Sequence, residues 1–319
     1  MPSRIVLVLI ALLLSTGATE AIAARCLYVS SYHSGYTWND EIEQSIETIL
    51  AGKCELRKFY MDGKRHLEAE FARQKAREAM DLIGSWHPDV VIAADDNASK
   101  YLVMPYLKNG RVPVVFCGIN WTADAYGYPY DNATGMIEVG PIDELVAEVR
   151  RVVPGATRGI YLSADEMTQD KEADLFKKAY GRYGITIVHV PVRTMAEWEK
   201  SYLAAQSTAD FLIIGNNAGI TNWDSGRAKA VVSGNSRRFS VTYLDWMTTY
   251  SMLGMAKIAG EQGEWAAKTA LLILNGAKPR DIPVVANRRW LLYVNPPLLR
   301  KAGFELPRDI TRRAKQVAP

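Results

Sequence analysis

The chain has 319 residues, 48% of them hydrophobic, with 38 basic and 35 acidic side chains and a net charge of +3. That is chain enough for two cores, and too apolar for a disordered protein. A balance so near neutral, with no run of Lys or Arg, argues against nucleic acid as a partner. Three cysteines are too few for a disulfide scaffold or a cysteine zinc cluster.

Taken in chain order, Arg4 precedes an unbroken apolar run over 5–14, and Ala21-Ile22-Ala23 is a small-x-small cleavage site. The pattern predicts a secretory signal peptide over 1–23 and a mature protein exported to the periplasm. The apolar run is short for a bilayer span. Disulfides persist outside the cytoplasm. Cys26 and Cys54 open the first two strand-like runs. If those strands are parallel neighbours, the two thiols start at one level and can bridge. Cys117 reads as a small buried apolar residue.

Residues 26–31 (CLYVSS) form the first predicted strand, followed by Ile42, Ile46, Ile49 and Leu50 at helical spacing, with Thr37 or Asn39 as N-cap. A second strand is predicted over 54–61, and a helix on Ala72, Ala76, Ala79, Met80 and Ile83. A third strand follows over 90–94, a short helix from about Ser99, and a fourth strand over 113–117. The alternation then restarts. Ile142, Leu145, Val146, Val149, Val152 and Val153 mark a helix, 159–163 a strand, 171–183 a helix and 185–192 a strand. Thr194 and Glu197 form a capping box; 211–215 and 239–243 are further strands. Continuous apolar strands between helices predict an α/β protein with two doubly wound parallel-sheet lobes.

Ligands bind beyond the carboxyl ends of such strands. Those ends read Ser31-Tyr32-His33-Ser34-Gly35-Tyr36-Thr37-Trp38-Asn39, then Asp62-Gly63, Asp95-Asp96-Asn97, and Asn120-Trp121. In the second half they read Ser163-Ala164-Asp165, Asn216-Asn217 and Asp245-Trp246. Hydrogen-bonding groups interleaved with rings suit a small polar molecule with a flat or apolar part.

Near the C-terminus, Ile273-Leu274-Asn275-Gly276-Ala277-Lys278-Pro279 precedes Asp281-Ile282-Pro283-Val284, then Tyr293-Val294-Asn295, Leu299, Lys301, Gly303 and Glu305-Leu306-Pro307. This order resembles the end of the ABC-transporter substrate-binding protein family whose best-known members bind tryptophan and related aromatic amino acids. Ser31-Tyr32-His33-x-Gly35-Tyr36-x-Trp38-Asn39 resembles a branch of that family that also occurs beside signalling domains. The resemblance implies a type I periplasmic binding protein: two lobes, a hinge of crossing strands and a cleft between them. It also implies that the chain crosses the hinge repeatedly, with lobe 1 formed by 24–121 plus about 247–280 and lobe 2 by 122–246 plus about 281–319.

The candidate ligand-binding residues are Ser31, Tyr32, Tyr36, Trp38, Asp95, Asn97, Asn120, Trp121, Ser163, Asn216, Asn217 and Asp245. In the first loop, Tyr36 and Trp38 either stack on a ligand, with the following helix offering free N–H groups to a carboxylate, or pack on the sheet edge. Asp95-Asp96-Asn97 either holds a ligand ammonium or caps a helix. Asn216-Asn217 either supplies amide hydrogen bonds or forms an ordinary turn. Of Trp38, Trp121 and Trp246, two are expected to face the cleft.

Catalysis finds no support. His33, His66, His87 and His189 are scattered, no GxSxG, P-loop or GxGxxG is present, and no metal-ligand pair is spaced for a helix. No metal or cofactor is expected. The expected function is that of an exported, monomeric binding protein. It captures a small amino-acid-like molecule and delivers it to an ABC permease. The alternative is a sensing module whose closed lobes dock on a membrane sensor kinase or cyclase.

Overall fold

Near-continuous apolar runs make strands that are buried on both faces, and the described residues, 24–317 of the computed structural model, contain two sheets of this kind. The leader expected over 1–23 lies outside the described residues. The first run is β1 (Arg25–Ser30), α1 (Thr37–Leu50), β2 (Glu55–Tyr60), α2 (Ala69–Trp86), β3 (Val90–Ala94) and α3 (Asp95–Asn97), which continues as a π-helical stretch over Ala98–Leu107. β4 (Val114–Asn120) and β5 (Ala133–Glu138) complete it. The second run is α4 (Ile142–Val152), β6 (Arg158–Ala164), α5 (Met167–Gly181), β7 (Thr186–Val192), α6 (Met195–Thr208), β8 (Phe211–Ile214), α7 (Ser225–Asn235), β9 (Phe239–Thr242) and β10 (Leu253–Lys257). Then come α8 (Ala259–Leu274), β11 (Val285–Ala286), β12 (Trp290–Val294), α9 (Pro296–Ala302), α10 (Arg308–Thr311) and β13 (Lys315–Gln316).

The first sheet has the order β11-β5-β4-β3-β1-β2 and is parallel throughout. The second has the order β13-β12-β10-β9-β8-β6-β7 and is parallel except where β12 runs against β10. Each lobe therefore begins with the same arrangement, the second strand outside the first and the later strands on its other side. Alternate side chains cover opposite faces of the first sheet. Cys26, Tyr28, Val90 and Ile92 pack under α1 and α8 with Ile42, Ile46, Ala267 and Ala270. Leu27, Val29, Val91 and Ala93 pack on the opposite side with Ala76, Ile83 and Leu102. A single larger core around Tyr161, Phe176, Trp198, Phe211 and Phe239 fills the second lobe.

The chain crosses between lobes after β5, after β10 and after β11. These crossings correct the expected boundaries. Residues 122–138 carry β5, which pairs with β4 in the first sheet, and β10 pairs with β9 in the second. α8 packs on α1 and returns the chain to the first lobe. Neither β5 nor β10 was read from the sequence, for a shared reason: each contains a glycine where a side chain would collide. A Cβ at Gly135 would come 2.2 Å from the Phe116 ring, and one at Gly254 2.6 Å from the Thr248 methyl. Close approach demands glycine, and glycine erases the strand pattern.

Two smaller corrections concern helix starts. The N-cap of α1 is Tyr36, with no side-chain cap bond, instead of Thr37 or Asn39; the Asn39 amide instead donates to the Ser30 hydroxyl. α3 begins at Asp95, four residues before the expected Ser99. The Thr194–Glu197 capping box on α6 is present in both directions. Among the described residues no helix is long and apolar enough to cross a membrane.

Cys26 and Cys54 form a disulfide with a Cα separation of 6.0 Å, tying the start of β1 to the residue before β2. Cys117 is free and buried. Closing a loop of this size restricts the unfolded chain by about 3–4 kcal/mol. Cys26→Ala/Cys54→Ala is expected to lower unfolding free energy by about that amount in urea titration. An unchanged midpoint would refute the contribution.

Candidate functional site

Both sheets direct their carboxyl ends at the gap between the lobes, where a cleft of about 600 Å³ opens. The first lobe contributes Tyr32, Gly35, Tyr36, Thr37, Trp38 and Glu41 from the β1–α1 connection and α1. Lys64 follows β2, Asp95 follows β3, and Asn120 and Glu138 end β4 and β5. The second lobe contributes Tyr243 to Trp246 after β9, Ala256 and Lys257 at the end of β10, and Leu291 from β12.

Of the residues expected at the site, Tyr32, Tyr36, Trp38, Asp95, Asn120 and Asp245 line the cleft. Trp38 and Trp246 do so as well, with Trp246 56% exposed at the rim, while Trp121 does not. Six expected residues lie off this cleft, and of these Ser31, Ser163 and Asn216 have their side chains hydrogen-bonded within the fold. The buried Ser31 hydroxyl donates to the Ala94 carbonyl at 2.6 Å and accepts the Ala98 N–H at 2.8 Å, stapling β1 to the turn after β3. His33 faces Asp62 at 3.6 Å, so serine and histidine have separate partners. Asn97 packs on Gly63. Trp121 lies beside Gly140 and against the second-lobe core.

Ser163 is sealed at the end of β6, its hydroxyl 2.9 Å from His189 Nε2 and 3.1 Å from the Ala164 carbonyl. His189 Nδ1 in turn lies 3.5 Å from Asp170. The three residues share the order of a hydrolytic triad, but Ser163 does not line this cleft and is 1% exposed. The Asn216 side chain accepts the Ala218 N–H at 2.9 Å, and the Asn217 carbonyl accepts the Ile220 N–H at 3.1 Å, which makes this segment a turn.

Asp95 dominates the electrostatics. It is 2% exposed, its φ is 68°, and its Oδ2 is buried without a hydrogen-bond partner. A non-glycine residue in the left-handed region is held there by its surroundings. Burial pushes its carboxyl well above the usual range, and Glu138 and Asp96 push the same way; Lys64 and the Trp38 indole N–H oppose them. Neighbouring Asp96 is fully employed, accepting from Tyr126 at 2.7 Å and from the Asn120 amide at 3.1 Å. Asn120 is thereby oriented along the cleft wall.

Glu138 and Lys257 were missed in the sequence because they end the two unrecognised strands. They pair with each other across the lobes. Glu138 is 6% exposed, and burial raises its carboxyl while Lys257 lowers it. Behind them on α5, Glu172 Oε2 is sealed and has no hydrogen-bond partner. Burial pushes its carboxyl from 4.5 up to about 7, with Lys257 opposing and Glu138 adding. Tyr243 rests on a buried network in which its hydroxyl meets that of Tyr161 at 2.8 Å. Among the described residues no group of three or more His, Cys, Asp or Glu could hold a metal ion.

A family model described as "ABC transporter substrate binding protein" matches residues 65–318. Several solved structures are similar in fold. One is an ABC domain in complex with L-Trp from Streptococcus pneumonia, at 18% identity, covering 92% of this chain and 100% of that one with a TM-score of 0.59. Another is the ligand-free, open form of a substrate-binding protein with adhesive properties from Clostridium difficile, at 14% identity, covering 93% and 99% with a TM-score of 0.72. A third is a conserved domain protein from Vibrio cholerae, at 15% identity, covering 93% and 100% with a TM-score of 0.58. No curated protein matches the chain.

A carboxyl raised in the folded state binds its proton more readily folded than unfolded. Between pH 4.5 and about 7, Glu172 therefore costs stability as pH rises. Glu172→Gln is expected to be more stable than wild type by about 1–2 kcal/mol at pH 8, with the gap closing near pH 5, read by thermal melts of the two proteins in parallel. A gap independent of pH would contradict the assignment.

Proposed function

The chain belongs to the ABC transporter substrate-binding protein family, and from that premise we propose that it is exported and captures an amino-acid-like solute with a flat or apolar body in the interlobe cleft. It is the solute-binding protein of an ABC transporter, and members of this family bind their solute without transforming it. One observation carries the finer reading: a buried carboxylate with an unpartnered oxygen, Asp95, lies in the same cleft as the rings of Tyr32, Tyr36, Trp38 and Trp246. A solute ammonium satisfies the carboxylate by a charge-assisted bond. A planar body stacks on the rings. The L-Trp complex of the pneumococcal relative supports a solute of this shape.

Capture works by differential contact. The cleft takes its walls from both lobes, so a solute touches both only when they approach. The lobes are joined by three crossings, and the solute shifts the population toward the closed form. The closed form is the one proposed to engage the permease. The Cys26–Cys54 disulfide supports an oxidising compartment, in keeping with export to the periplasm.

A thermal-shift screen of amino acids, amines, purines and sugars is expected to yield a solute that stabilises the protein by about 3 kcal/mol at a hundredfold excess over its Kd. Mass spectrometry of co-purifying solute provides an independent identification. Trp38→Ala and Asp95→Ala are each expected to weaken binding of that solute by about 10- to 100-fold in calorimetry, with the circular dichroism of the fold retained. Wild-type affinity in both variants would sink the site assignment.

A further inference from the structure

The lining of the cleft is unbalanced in charge. Four carboxylates, Glu41, Asp95, Glu138 and Asp245, face two lysines, Lys64 and Lys257. Lys257 is already committed to Glu138. Lys64 makes no ion pair among the described residues. Its ammonium instead lies 4.6 Å from the Tyr32 ring centre and 5.3 Å from that of Tyr36, while Lys257 lies 5.5 Å from the Trp38 ring. Three ring faces of the cleft are thus each presented to a cation, the arrangement in which aromatic rings attract ammonium groups.

Two features of the cleft suit a solute carboxylate: Lys64, whose ammonium lies against the Tyr32 and Tyr36 rings, and the N-terminus of α1, whose Thr37 and Trp38 border the cleft. Its first turn carries Asp40, and Glu41 follows on the cleft wall. An anion placed there meets like charge at short range. A cation placed near Asp95 meets a buried oxygen that has no other partner.

Resting on the reading of the cleft as the solute site, and narrowing its amino-acid-like solute to the amine of that class, we propose that the solute is an organic cation, a flat or apolar body bearing a primary to tertiary ammonium and no free carboxylate. Lys64 holds the place over Tyr32 and Tyr36 that the solute's ammonium takes on binding. Lys64 is solvent-exposed, so its replacement leaves the core untouched. Burial and neighbouring acids raise the Asp95 carboxyl and disfavour its ionised form, and an arriving ammonium restores that form, the carboxyl proton leaving to solvent.

The test uses matched pairs of probes that differ by the carboxylate alone, tryptamine against L-tryptophan and tyramine against L-tyrosine, in calorimetry at pH 8 with wild-type protein and Lys64→Gln. The proposal expects the amine of at least one pair to bind about tenfold or more tightly than its amino acid. It also expects Lys64→Gln to tighten that amine about threefold or more, because a competing like charge is gone. Tighter binding of the amino acids, weakened by Lys64→Gln, would make Lys64 a carboxylate receptor and overturn the proposal while leaving the cleft as the solute site. Failure of all four probes to bind overturns the proposal as well. The site reading itself fails separately, when a solute identified by mass spectrometry binds Trp38→Ala and Asp95→Ala with wild-type affinity.

Discussion

The ion pair between Glu138 and Lys257 joins the last residue of β5 to the last residue of β10, and so joins the sheet of one lobe to the sheet of the other. Glu138 is almost fully buried, and a buried carboxylate is tolerable only when a cation offsets its lost hydration. The pair forms where two of the three crossings leave their strands. Asn287, at the third, holds the first by exchanging two hydrogen bonds with the Val139 backbone. Glu261 at the start of α8 accepts the N–H groups of Arg288 and Arg289 as the chain re-enters the second lobe. Charge and backbone bonding therefore converge on one seam, and the floor of the cleft is that seam.

What stands above the floor follows from repetition. Each lobe orders its first five strands in the same way, so the carboxyl ends of both sheets face one gap. The two walls are not equivalent. The first lobe brings loops from β1, β2 and β3 to the cleft, while the second brings the segment after β9 and the end of β10. The ends of β6 and β8 are occupied by internal bonding, in which Ser163 meets His189 and the Gln169 side-chain Oε1 accepts the Asn216 N–H at 3.0 Å. Charge concentrates on the first wall and aromatic surface lies on both. A solute with one cationic and one flat end thus has a defined orientation.

Much of this was legible in the residues themselves. Apolar strands such as Val90–Ala94 and Phe211–Ile214 announced two buried parallel sheets, because only a sheet covered on both faces needs such runs. The rule that sites lie past strand ends pointed to Tyr32, Tyr36, Trp38, Asp95, Asn120 and Asp245, which line the cleft, and to Ser31, Asn97, Trp121, Ser163, Asn216 and Asn217, which do not. A short polar residue after a strand has the same composition whether it faces a solute or satisfies a backbone group, and only its partners tell the two apart.

The sequence by itself determined the two α/β lobes, the recurrence of their strands and helices, the family resemblance and the aromatic, acidic character of the strand ends. These depend on local periodicity and on residue type, which the chain carries wherever it folds. The tertiary structure decided where the lobes divide and which charges meet. Gly135 of β5 lies against the Phe116 ring of the neighbouring strand, and Glu138 meets Lys257 across 119 residues. A contact made by chain segments so far apart leaves no period in the sequence, because its cause is the packing of one strand against another.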